Sequence, residues 1–221
     1  MIDHATLSRR ERVALGWLND SKQMAPEERE ELYPVVLRAA TRVAVRAYCV
    51  NAIDSHGLHV SNLAALRECL ERVAGERAGT GEVACLVDGF RLPRCSVEHT
   101  PVVDGDARSA AIAAASVVAK VTRDRYMRRA DRAYPGWDFA ENVGYSTPEH
   151  RAAIVESGIS ALHRRSFNSI AYSQLELAGT DADAELIEAL EGVPDVLEVG
   201  DPPGGVEADP DHVEAQRADA A

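Results

Sequence analysis

Gly105-Asp-Ala-Arg-Ser-Ala-Ala-Ile-Ala-Ala-Ala-Ser-Val-Val-Ala-Lys-Val-Thr-Arg-Asp-Arg125 is the stretch whose reading decides the fold. It follows a short β-branched run, Val97 to Val103, that predicts a strand ending in Asp104-Gly-Asp106. From Ser109 to Ala133 the chain then reads as one long helix, with small residues at 110–116 and arginines in its second half. Pro135 and Gly136 stop it. The small residues let the first half approach a sheet closely. The N-terminus near Ser109 suits a phosphate or another anion, and ordinary helix–sheet packing accounts for the same residues equally well.

Working outward, Val83-Ala-Cys-Leu-Val87 is an apolar run ending in Asp88-Gly89, a buried strand with its acid at the C-terminal edge. Arg42 to Val50 alternates and is β-branched, which predicts a third strand. Leu7, Ala14, Leu15 and Leu18 share one face of a helix over 7–18. Pro26 followed by Glu27, Glu28, Glu30 and Glu31 opens a helix running to about Ala40. Ser61 is expected to cap a helix to Ala74, and Thr147-Pro148 starts another over 147–157. Strands interleaved with helices indicate an α/β layer fold, although three strands make a thin sheet.

Composition narrows the class. The chain has 221 residues, 46% of them hydrophobic, which suffices for a packed core. No apolar run of about 18 residues is present, so no membrane helix is expected. Met1-Ile-Asp-His-Ala5 has neither the basic nor the apolar region of a signal peptide. The cysteines Cys49, Cys69, Cys85 and Cys95 stand singly, which argues against a disulfide scaffold or structural zinc and for a reducing cytoplasm.

The formal net charge of −12 divides unevenly. Residues 1–170 carry 23 Lys and Arg against 22 Asp and Glu, while residues 171–221 carry Arg217 against 14 acids. The expectation is a folded unit over 1–170 and an acidic, disordered, solvated tail over 171–221. The near-neutral body is compatible with nucleic acid. Lys22 and Lys120 are its only lysines.

Asp88 and Asp106 each end a strand beside a glycine, the rim at which α/β proteins place their sites. Carboxylates there suit hard cations such as Mg²⁺ or Mn²⁺, which can clamp a phosphodiester for attack by water. A simple turn with an Asx hydrogen bond explains the same residues. His163-Arg-Arg-Ser-Phe167 reads either as a phosphate grip or as a solvated charge run. Tyr145, in a loop before a helix, can stack on a sugar or base, or simply pack. His150 and His163 lack metal-ligand spacing and read as structural or substrate-side residues.

Taken in order, these pieces resemble the bacterial ribonuclease HII (type 2 ribonuclease H) family. The matching segments are Leu18-Asn-Asp-Ser-Lys22, Ile53-Asp-Ser-His-Gly57, Leu86-Val-Asp-Gly89, residues 105–125, Tyr134-Pro-Gly-Trp-Asp-Phe139, Gly144-Tyr-Ser-Thr147 and His163 to Phe167. The resemblance covers residues 1 to about 170. It implies a ribonuclease-H-like mixed five-stranded sheet flanked by helices. It also implies cleavage of RNA in RNA–DNA hybrids and at single ribonucleotides in DNA, leaving 5′-phosphate and 3′-hydroxyl ends, with Mn²⁺ or Mg²⁺ held by four carboxylates. Asp88 and Asp106 match the third and fourth of these. Tyr145 matches the tyrosine that stacks on the sugar at the RNA–DNA junction, Lys22 a lysine near the nucleic-acid backbone, and Ser109 and Lys120 positions on the helix beside the site. No obligate protein partner is implied.

The chain departs from the family at its start. The family opens with a strand reading roughly Gly-Ile-Asp-Glu-Ala-Gly-Arg-Gly, which supplies the first two carboxylates, and a second apolar strand. Here Met1-Ile-Asp-His-Ala5 copies that motif faintly, with His4 for the glutamate, and residues 1–18 read better as the connector before Asp-Ser-Lys. The expectation is a fold without its first two strands. Val43, Val45, Leu86 and Val87 would then want for partners. The rival expectation is a catalytically dead, nucleic-acid-binding remnant.

Overall fold

The computed structural model describes residues 1–18, 21, 23–77 and 83–167. Lys22 and the tail over 171–221 lie outside the described residues.

Ser8 starts α1 (Arg9–Leu15) with a capping box: its hydroxyl accepts from the Glu11 amide while the Glu11 carboxylate accepts from the Ser8 amide. Pro26 opens α2 (Pro26–Ala39), with Glu27 and Glu28 at its positive end. Two helices follow, α3 (Val50–His56) and α4 (Leu58–Ala74), separated by Gly57 at φ 85°. That left-handed glycine ends one helix and begins the next, so the expected start at Ser61 is corrected to Leu58, and Ser61 lies buried inside the helix. The short strands β1 (Leu86–Asp88) and β2 (Thr100–Val102) pair in parallel, Leu86 opposite Thr100 and Asp88 opposite Val102. Pro101 is tolerated in β2 because a two-stranded sheet has only edge strands. The remaining helices are α5 (Gly105–Arg108), α6 (Ala110–Ala130), α7 (Phe139–Asn142) and α8 (Pro148–Ser157). Thr147 caps α8, accepting from the His150 amide at 3.2 Å.

The third expected strand, 42–50, does not form. Residues 42–49 join no ladder, and Val50 begins α3. A strand needs a partner's hydrogen bonds, and the described residues offer this segment only an isolated antiparallel bridge, Ile2 to Ala40, beside the Met1 ammonium donating to the Arg42 carbonyl at 2.6 Å. The alternation of Val43 and Val45 has another cause: both pack against the core of Leu7, Leu15, Val36, Ala39, Ala114 and Val118. Val87 is likewise covered at 5% exposure, whereas Leu86 stays open at 38%.

The core is organised around α6. Its small residues Ala113 and Ala114 and its branched residues Val117, Val118 and Val121 are all buried, against α2 on one side and β1 and α5 on the other. Full burial of each valine contributes about 1.5–3 kcal/mol. The result is a helix-rich α/β unit. Among the described residues no helix is long and apolar enough to cross a membrane.

Candidate active site

The Asp88 carboxylate stands at the C-terminal end of β1. Its Oδ1 accepts the backbone N–H of Gly105 at 2.9 Å, which fixes it beside the segment that carries Asp106. Asp104, in the left-handed region at φ 53°, turns the chain into α5, and Asp106 Oδ1 accepts from the Ala107 amide at 3.0 Å. Gly105 is buried, and a Cβ there would come within 3.0 Å of Asp88 Oδ1 and 2.6 Å of Ile112 Cδ1. The missing side chain is the space the carboxylate occupies. The site therefore rests on a glycine between two acids, with both side-chain carboxyls retaining an oxygen that accepts no hydrogen bond among the described residues.

This donor set fits a hard divalent cation. Mg²⁺ is commonly held by one or two carboxylates plus water and substrate phosphate, and two carboxylates are present here. Among the described residues no group of three or more His, Cys, Asp or Glu side chains gathers to hold a metal ion, at this site or elsewhere.

Ser109 precedes α6 in extended conformation and makes no side-chain cap bond. Ser109, Ser116 and Lys120 follow at spacings of seven and four, so they lie along one stripe of the helix. Ser116 Oγ pairs with Ser21 Oγ at 2.7 Å, seating Ser21 over the middle of that stripe. Its far end, about 16 Å from Ser109 at 1.5 Å per residue, is cationic and aromatic. There Lys120 Nζ lies 4.7 Å from the centroid of the Tyr145 ring, and the Arg123 guanidinium carbon 5.4 Å from it. Tyr145 is 52% exposed, so one of its faces remains available. The structure thus groups Asp88, Asp106 and Ser109 at one end of α6 and Lys120 and Tyr145 towards the other.

Two groups went unmarked in the sequence. Asp124 and Arg29 are buried charges behind Lys120. The only local signal is the four-residue spacing of Lys120 and Asp124 on one helix.

The His163 to Phe167 segment is anchored at two points, with Arg165, Ser166 and Phe167 exposed. His163 is buried among Trp137, Phe139 and His150. Burial first, and then His150 beside it, pushes its pKa down to about 4. Arg165 and Ser166 donate their backbone amides to Asp54 at 2.8 and 3.1 Å. His150 and His163 are structural residues here, bonded to each other at 3.2 Å through their Nε2 atoms.

The family profile described as Ribonuclease HII matches residues 8–170. The chain is 43% identical over 183 residues to the ribonuclease HII of Nocardia farcinica (strain IFM 10152), covering 82% of this chain and 70% of the relative. It is 46% identical over 167 residues to that of Mycobacterium sp. (strain KMS), covering 76% and 67%. In fold it is similar to the crystal structure of ribonuclease H2 from Pyrococcus horikoshii OT3, with a TM-score of 0.58 at 20% identity over 81% of this chain and 89% of that one. With motif order, fold and sequence in agreement, the chain belongs to the ribonuclease HII family and is, by family, a metal-dependent endoribonuclease.

Proposed function

We propose that the unit over 1–170 cleaves the RNA strand of RNA–DNA hybrids, and DNA at embedded ribonucleotides, leaving 5′-phosphate and 3′-hydroxyl ends. Asp88 and Asp106 would hold Mn²⁺ or Mg²⁺, and Lys22, Ser109, Lys120 and Tyr145 would form the face that receives the nucleic acid. The observation that carries this reading is the layout of α6: a carboxylate pair at its start and a cation-backed, half-open tyrosine about 16 Å along it. Bound divalent cations supply activation of water and neutralisation of charge on the phosphodiester. The chain's own residues do the rest. Gly105 N–H aims the Asp88 carboxylate, the open face of Tyr145 offers a stacking surface, and Lys120 and Arg123 set a positive field around it. The free cysteines are in keeping with a reducing compartment, and we place the activity in the cytoplasm.

A second reading, hybrid binding without cleavage, is favoured by one observation: only two carboxylates gather at the site among the described residues. Incubating the chain with an RNA–DNA hybrid and with a duplex carrying one ribonucleotide, in Mn²⁺ and then Mg²⁺, separates the two. Product with a 5′-phosphate, abolished by Asp88→Asn and by Asp106→Asn, supports the first. A retarded hybrid with no product establishes the second, and neither outcome would leave both standing.

A further inference from the structure

Asp124 is 4% exposed on the inner side of α6, and three cations converge on it. Lys120 Nζ lies 2.5 and 2.7 Å from its two oxygens, Arg123 Nη1 3.5 Å from Oδ1 and Arg29 Nη2 3.6 Å from Oδ2. A lysine one turn before an acid is the weaker orientation of a helical pair, worth only tenths of a kcal/mol on a surface. A buried carboxylate with partners held this closely is therefore not explained by helix stability.

Each cation makes a second contact, and those of Lys120 and Arg123 are at Tyr145. Lys120 sits under the Tyr145 ring. Arg123 also approaches that ring and donates to the Val143 carbonyl at 2.8 Å, two residues before it. Arg29 Nη1 donates to the carbonyls of Ser21 and Met24, both at 2.6 Å, residues that flank Lys22 in the sequence. A lysine chain left alone carries its ammonium to water. Here both Asp124 oxygens retain it beneath the ring.

We propose that Asp124 is a positioning residue of the substrate face: through Lys120 and Arg123 it holds the Tyr145 ring, and through Arg29 it holds the backbone at Ser21 and Met24, so one buried carboxylate sets both in a common frame. The proposal rests on the reading that Tyr145 stacks on the nucleic acid. Lys120 then acts on substrate through the ring. Preorganisation of this kind lowers the ordering cost of binding.

The chain's two lysines make the test direct. With lysine labelled by ¹³C at the ε-carbon, the parent should show one ε-methylene signal displaced by the ring current of Tyr145. Tyr145→Ala should return it to the open-chain position, and Asp124→Asn should move it the same way. A Lys120 signal unmoved by Asp124→Asn overturns the proposal. Binding to an RNA–DNA hybrid is the second readout. Tyr145→Ala should weaken it about 5- to 150-fold, and Asp124→Asn should weaken it at least several-fold. Adding Asp124→Asn to Tyr145→Ala should cost clearly less than Asp124→Asn costs the parent, because the part of its effect that passes through the ring is already lost. Effects that multiply instead overturn the proposal. If Asp124→Asn fails to fold, the pair Lys120→Met/Asp124→Leu removes the closest ion pair together, with Arg29 still bonded to the Ser21 and Met24 carbonyls, and the same cycle with Tyr145→Ala decides. A parent that binds no hybrid overturns the substrate reading, while the lysine spectrum still decides whether Asp124 holds the ring.

Discussion

The imidazoles of His150 and His163 stack with centroids 5.2 Å apart, and their Nε2 atoms meet at 3.2 Å. The surrounding bonds set the tautomers. Ser160 N–H donates to His163 Nδ1 at 2.9 Å, so the His163 proton sits on Nε2 and points at His150. His150 Nδ1 in turn donates to the Trp137 carbonyl at 3.0 Å. A single line of neutral donors and acceptors thus ties α8 to the segment after it.

This line is sensitive to acid. In the fold His163 titrates at about 4, against 6.5 when free of the fold. Between those values the unfolded chain takes up a proton that the folded chain refuses. Stability from this group is therefore complete above about pH 6.5 and falls as the pH drops towards 4, by on the order of 3 kcal/mol. Urea unfolding at pH 7.5, 5.5 and 4.5 should show this slope in the parent, and His163→Gln should flatten it. Equal slopes in the two proteins would remove His163 as the cause.

Gly105→Ala puts a methyl 2.6 Å from Ile112 Cδ1 and 3.0 Å from Asp88 Oδ1. Ile112 can yield by a small rotation, so the loss of stability should be about 1–3 kcal/mol. The carboxylate cannot stay where it is, so divalent-cation binding, measured by calorimetry, should fall by more than the thermal midpoint suggests. A variant with parental cation affinity would show that the glycine does not aim Asp88.

Asp54 joins α3 to the basic segment, accepting the amides of Arg165 and Ser166 and the Ser166 hydroxyl at 2.5 Å. Burial works to raise its carboxyl pKa, but the Ser166 hydroxyl and the two amides outweigh it and hold the value below the ordinary carboxylate range. The clamp is accordingly intact above that range and released as pH falls through the lowered value. Asp54→Ala should destabilise by about 1–3 kcal/mol and speed amide exchange at 165–166 while leaving α6 protected. Unchanged exchange at those two amides would contradict the clamp.

The tail over 171–221 bears 14 acids against Arg217. Beside a polyanion such charge weakens binding, and does so most at low salt. A protein cut after Ala171 should bind an RNA–DNA hybrid equally or more tightly at low salt, with the difference vanishing as salt rises. Weaker binding by the cut form, with its circular dichroism unchanged, would mean that the tail takes part in holding substrate.

Much of the framework was legible in residue order. Pro26 with its trailing glutamates, Thr147-Pro148, and the Ala-rich run ended by Pro135 and Gly136 marked α2, α8 and α6 to within a few residues, because capping and propensity act over one turn of chain. Val87-Asp88-Gly89 likewise announced a strand with its acid at the rim, but the burial expected along it holds for Val87 alone, since side chains alternate and Leu86 and Asp88 face outward, and motif order alone named the family. The alternation at 42–50 misled because it has the same pattern whether a neighbouring strand or a helical core covers it, and only the packing of Val43 and Val45 on α2 and α6 distinguishes the two. The same limit hid Asp124 and Arg29. Nothing within a few residues tells a solvated charge from a buried one, and their importance comes from partners far along the chain, as Ser21 meets Ser116 across 95 positions and Asp54 meets Ser166 across 112. Local sequence dictates which elements form. Which charges lose their water, and therefore must be matched and held in place, is settled only when those elements close on one another.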